Sequence, residues 1–194
     1  MENTEKDFNP QESIKLIDDM IKTAKGNIKE SSFYFLLWGW IVMIGGGGHY
    51  ILIKFTNYEH PHVAWSVIII GMILSAIHGV RYKKKTKVTS QIEKIYSLIW
   101  FAFLISYFII LFFMSKINYQ TTSMIFLIAA NATFISGFIL KFKPLVFGGI
   151  VMWISAIVAF FLSPENQLLC IPITIILGYL IPGYMLKYKE DNNV

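Results

Sequence analysis

Four glycines in a row, Gly45 to Gly48, run directly into His49, and a short polar stretch beyond them carries Glu59, His60, Pro61 and His62. Imidazole nitrogens and a carboxylate oxygen are good ligands for Zn or Cu, so His49, Glu59, His60 and His62 are the residues whose types could hold a metal. A His-Pro-His turn at a membrane surface is more often a solvated loop, and the expectation is no metal and no cofactor. The glycines admit two readings of their own. Each costs about 1 kcal/mol relative to Ala inside a helix, so the run could unwind and line a binding site with open backbone. Glycine also lets a neighbouring helix come close, and packing is the preferred expectation.

Three further residues stand out by chemistry. Asn131, with Thr133 two residues on, falls in the middle of an apolar stretch, where an amide must bond to another helix or line a wet cavity. Interhelical bonding is the expected role. Pro182 belongs to a cluster with Pro172, Gly178 and Gly183 that predicts a kink. Small residues at four-residue spacing, Gly71, Ser75 and Gly79 and again Ala129, Thr133 and Gly137, predict helix-packing faces. Cys170 is the only cysteine, which excludes an intrachain disulfide. The apolar stretches contain no Asp, Glu, Lys or Arg at depth, so of the ionisable groups that coupled transporters keep there only His49 or His78 could serve. No Ser/His/Asp, paired-carboxylate or cysteine-nucleophile arrangement is present, and the expectation is a protein that is not an enzyme.

The elements that must position these residues follow from composition. The chain has 194 residues, 55% hydrophobic and 15% charged, too apolar for an ordinary soluble domain. Phe33 to Phe55 is charged only at Lys54, and at about 1.5 Å per residue it can cross a bilayer core of about 30 Å. Five more runs of similar length follow: 63–80, 95–114, 122–140, 144–162 and 168–186. Before them, Asn9, Pro10 and Glu12 mark a helix start, and Ile14, Ile17, Ile21, Ala24 and Ile28 share one face. The predicted fold is all-α: an amphipathic amino-terminal helix over 1–32, a six-helix transmembrane bundle over 33–186, and a tail over 187–194. Gly26, Ser31 and Ser32 predict a hinge between the first two parts. His78, Tyr179 and Tyr184 are placed toward the cytoplasmic interface, and Ser90 with Glu93 is expected to cap the third span.

Charge sets the threading. With the amino terminus inside, the inner segments carry Lys6, Lys15, Lys22, Lys25, Lys29, Arg81, Lys83, Lys84, Lys85, Lys87, Lys94, Lys141, Lys143, Lys187 and Lys189, against Lys54 and Lys116 outside. That imbalance predicts both termini in the cytoplasm. The net charge of +5 is then a topology signal that draws anionic lipid headgroups to the cytoplasmic face and calls for no nucleic acid. Lysine-rich, Asn- and Ile-rich composition suits an AT-rich bacterial genome.

Three stretches carry a resemblance: Glu12 to Ile21; Leu36-Leu37-Trp38-Gly39-Trp40; and Lys141-Phe142-Lys143-Pro144-Leu145 together with Leu177 to Tyr184. In these the chain resembles a family of uncharacterised bacterial multispanning membrane proteins. The resemblance covers most of the chain and implies a helical inner-membrane protein with a short cytoplasmic leader helix. It implies no activity and transfers no site residue, and the four-glycine run lies outside the shared pattern. The expected function is therefore non-enzymatic, through bundle assembly, a homo-oligomer or a membrane partner. The alternative is a small-solute transporter or channel with its site near Gly45–Gly48 and Asn131.

Overall fold

A computed structural model describes residues 10–85 and 91–192, without the side chains of 10–13, 15–30, 82–85 and 190. The described residues are helical throughout their regular structure. Helix α1 is Pro10–Phe55, and a 3-10 turn, Pro61–Ser66, leads into α2, Val67–Lys85. Then come α3, Gln91–Phe112; α4, Thr121–Ile139; α5, Lys143–Phe160; and α6, Pro164–Ile175. A π-helical segment, Ile176–Leu180, joins α6 to α7, Ile181–Asn192. Among the described residues six helices are long and apolar enough to cross a membrane: Ser31–Phe55, Pro61–Arg81, Gln91–Phe112, Thr121–Ile139, Lys143–Phe160 and Pro164–Lys189. Side chains such as Phe112 and Phe161, more than four-fifths exposed, belong in a bilayer rather than in water. The fold is that of a multi-pass membrane protein.

The first span differs from its sequence reading. α1 is one helix of 46 residues, about 70 Å long at 1.5 Å per residue. No hinge forms at Gly26, Ser31 and Ser32. A single glycine costs about 1 kcal/mol, too little to interrupt a hydrogen-bonded helix, and both serines are buried in the bundle. Of the amphipathic face only Ile14 has a described side chain, and it is exposed. The Asn9 cap and the Ser90 cap lie outside the described residues.

The third span ends two residues early, at Phe112, because the chain then turns through left-handed Asn118 and Tyr119 before α4. Between α4 and α5 the turn is tighter still. Phe142 N–H donates to the Gly137 carbonyl at 2.9 Å and Lys141 N–H to that of Phe138 at 3.1 Å. This is a Schellman ending with Lys141 at φ 48° in the position glycine usually takes. Buried Phe142 anchors the turn, with Lys189 Nζ 5.5 Å over its ring.

The sixth span is the axis of the bundle, and α1 lies along it by matching small residues to large ones. Leu36 fills the space over Gly183, Leu180 that over Gly39, and Ile171 that over Gly46. The expected kink appears as a change of helix type. Proline has no N–H to give, so Pro182 releases the carbonyl four residues back, that of Gly178. The released carbonyl leans onto α5 at Gly148, so closely that a Cβ on Gly148 would collide with its oxygen. The π segment is the wider turn that absorbs the mismatch. Pro182 is itself buried beside Gly148. Tyr179 is a core residue, 4.9 Å from the Phe35 ring. The π turn rotates it inward.

Replacing Gly148 by Ala puts a methyl into backbone, which cannot yield as a side chain can. Gly148→Ala is expected to destabilise by about 3 kcal/mol, read as a lowered thermal midpoint of intrinsic fluorescence in detergent. Lys141→Gly, which relieves a left-handed residue, is expected to raise the same midpoint by an amount corresponding to about 1 kcal/mol.

Candidate functional site

The glycine run is helical throughout, and no backbone opens there. Three of the four glycines are occupied by neighbours. A Cβ at Gly45 would stand 2.8 Å from the Trp65 ring, one at Gly46 2.6 Å from Ile171, and one at Gly48 3.3 Å from the Ala64 methyl. Gly47 alone faces open space. Gly45 and Gly48 thus receive the 3-10 turn, and Gly46 receives α6. Gly47 and Gly48 floor a groove of ≈ 580 Å³ whose walls are Met43, Ile51 and Phe55 of α1 and Leu169 and Pro172 of α6. Its lining is apolar, the chemistry of a surface that meets acyl chains.

The 3-10 turn explains where His49 goes. Val63 N–H bonds back to the His60 carbonyl at 3.0 Å, which brings Trp65 over α1. Its indole nitrogen, a donor only, gives its hydrogen to His49 Nδ1 at 3.0 Å. That bond places the imidazole proton on Nε2 and occupies the other ring nitrogen. His60 and His62 lie together on the turn, ring centroids 5.6 Å apart, and with Glu59 they are exposed. Among the described residues no three of His, Cys, Asp and Glu are grouped to hold a metal. Cys170 is half-buried and free.

The other sequence candidates lie elsewhere. Asn131 is exposed on α4 and accepts a hydrogen bond at Oδ1 from Trp153 Nε1 of α5, at 3.2 Å. It is not part of the groove wall, so the glycine run and Asn131 do not share a cavity. Thr133 is fully buried and directs its hydroxyl at Met152 Sδ, 3.7 Å away. On α2, Gly71 faces Ile41 and Trp38 and Gly79 faces the Tyr34 hydroxyl, so this face packs on α1. His78 is half-buried near the Arg81 end of α2. It stacks on Phe33 at 4.0 Å between centroids and lies 3.4 Å from the Tyr34 hydroxyl through Nδ1.

Two groupings escaped the sequence reading. Gln167, fully buried, donates to Gln120 Oε1 at 2.5 Å and to the Leu162 carbonyl at 3.2 Å, tying the start of α4 to α6. A polar side chain one residue outside the expected sixth span was the available signal. On α3, Tyr96, Trp100, Phe103 and Tyr107 form a chain of aromatic contacts at spacings of four, three and four. Trp100 carries it to Phe35 and Tyr179. That spacing is visible in the sequence as one face of a helix.

No family model, no curated protein and no solved structure matches the chain.

The glycines separate by what faces them. Gly46→Ala is expected to lower the thermal midpoint, by an amount corresponding to about 1 to 3 kcal/mol, because Ile171 is itself buried. Gly47→Ala meets nothing and is expected to leave stability unchanged or to raise it by up to about 1 kcal/mol, the propensity gain. Equal losses at both positions would show that the run is not a packing surface.

Proposed function

We propose that this is a non-enzymatic, multi-pass protein of a bacterial inner membrane that acts by assembling, through its helix bundle, with membrane partners. The observation that supports it is the use made of the four glycines. They were the best pointer to a broken-helix transport site, and three of them are filled by Trp65, Ile171 and Ala64 in an unbroken helix. The groove beside Gly47 has an apolar wall and presents no array of ligand-binding groups. The lysine imbalance supports cytoplasmic termini and a basic face that attracts anionic headgroups. The resemblance to a family of uncharacterised bacterial multispanning proteins is consistent with this reading and assigns no activity.

Two measurements test it. Full-length protein extracted in native lipid discs is expected to run as a complex heavier than its own 22.3 kDa. In a Cys170→Ser background, Gly47→Cys is expected to react with a lipid-soluble maleimide and to resist a membrane-impermeant thiol reagent. Rapid labelling by the impermeant reagent, with a monomer in the discs, would favour transport and overturn assembly.

A further inference from the structure

The amide of Asn131 faces the bilayer with both of its N–H donors unused. Asn131 is the eleventh residue of α4, about 15 Å along a helix of 19 residues. Its side chain is too short to reach headgroups from there. Because an indole nitrogen can only donate, the bond from Trp153 fixes Oδ1 toward α5 and leaves Nδ2 directed away from that bond. Trp153 is held in place by Phe134, 4.9 Å between ring centroids, and Phe134 in turn by Phe138 at 5.0 Å. Among the described residues the Nδ2 hydrogens have no acceptor. Hydrocarbon supplies none, and an unmet amide there costs several kcal/mol.

Around the amide, Leu127, Ile135 and Phe138 are exposed on the same side of α4, four residues before it and four and seven after it. We propose that this face is where two copies of the chain meet, with the Asn131 amides bonded to each other across a two-fold axis normal to the membrane. The inference rests on the assembly reading above and names its partner. A second copy is the occupant that fits, for two reasons. An amide is self-complementary, since Nδ2 of each copy donates to the lone pair that Trp153 leaves free on Oδ1 of the other. Copies inserted in the same orientation also place their amides at the same depth, which another protein would match only by a separate coincidence. An isologous contact of this kind is the commonest form of homodimer, and interhelical amide bonds are an established source of association in membranes.

Native mass spectrometry of the full chain from lipid discs, combined with disulfide trapping in membranes, tests the proposal. The wild type is expected at twice 22.3 kDa. Asn131→Leu is expected to weaken dimerisation about tenfold, and Asn131→Gln to restore most of it. In a Cys170→Ser background that keeps Asn131, Leu127→Cys and Ile135→Cys are expected to cross-link between copies on mild oxidation. Ile73→Cys, exposed on α2, is expected not to. This trapping arm decides the matter even where Asn131→Leu fails to fold. A folded Asn131→Leu that dimerises like the wild type, or no trapping at either α4 position, overturns the proposal. A complex with a different protein and no dimer overturns it while leaving the assembly reading in place; a solitary monomer overturns both.

Discussion

The contact on which the bundle depends is backbone against backbone, where the Gly178 carbonyl meets Gly148. In a bilayer the hydrophobic effect does little to draw helices together, because lipid tails are as apolar as leucine. Association rests on close van der Waals contact and on polar groups that find no other partner. The sixth span supplies both. Pro182 frees a carbonyl, the π segment directs it outward, and a glycine on α5 lets it approach. With α5 fixed on one side, the same span presents Ile171 and Leu180 on another, and α1 fits them with Gly46 and Gly39. These glycines are seven residues apart, two helical turns, as are a pair of positions on a coiled-coil seam. α4 is carried in by α5 through the tight turn at Lys141 and Phe142.

Hydrogen-bonding side chains take a different part. Three of the bonds tie spans that the chain does not connect directly, or hold a connecting turn down. Gln167 reaches Gln120, so α6 is held to the start of α4. Trp40 Nε1 donates to the Tyr184 hydroxyl at 3.0 Å, joining α1 to α7 on the exposed surface. Trp65 bonds to His49 and keeps the 3-10 turn on α1. The Gln167 and Trp65 bonds lie toward the ends of spans, whereas the interior between them is closed mostly by small and apolar residues. Such a division fits the cost of burying polar groups, which is lowest where water is near. α2 and α3 have a smaller share of these contacts. α3 contains no buried residue and touches the rest mainly through its aromatic face and α4.

Six spans were legible in the sequence because hydrocarbon thickness sets a length that apolar runs must meet, and each expected run overlaps an observed helix. The small-residue faces at Gly71 and Thr133 were legible for a similar reason, since spacing of four marks one side of a helix. Pairings were not legible. Nothing in the order of residues says that Gly46 meets Ile171 rather than Trp65, or that Tyr179 turns inward, because the π segment shifts every side chain after it. The three outer histidines looked like one group because they are near in sequence. The structure does not group them as ligands: His49 is claimed by an indole, and His60 and His62 belong to a turn beyond the helix end.

The reading of the glycine run turns on which reference state is used. Measured in water, four glycines forfeit about 4 kcal/mol of helix propensity, enough to suggest a break. In a bilayer the alternative to the helix is a set of bare N–H and C=O groups, each costing several kcal/mol without water. Four unmet backbone pairs cost more than four glycines lose, so the helix holds unless the opened backbone faces water or protein polar groups. Neither is supplied by Trp65, Ala64, Ile171 or the apolar groove. By the same reasoning an exposed amide at Asn131 is the more unstable feature. The glycines have their neighbours within the chain, whereas the N–H half of that amide has no partner among the described residues.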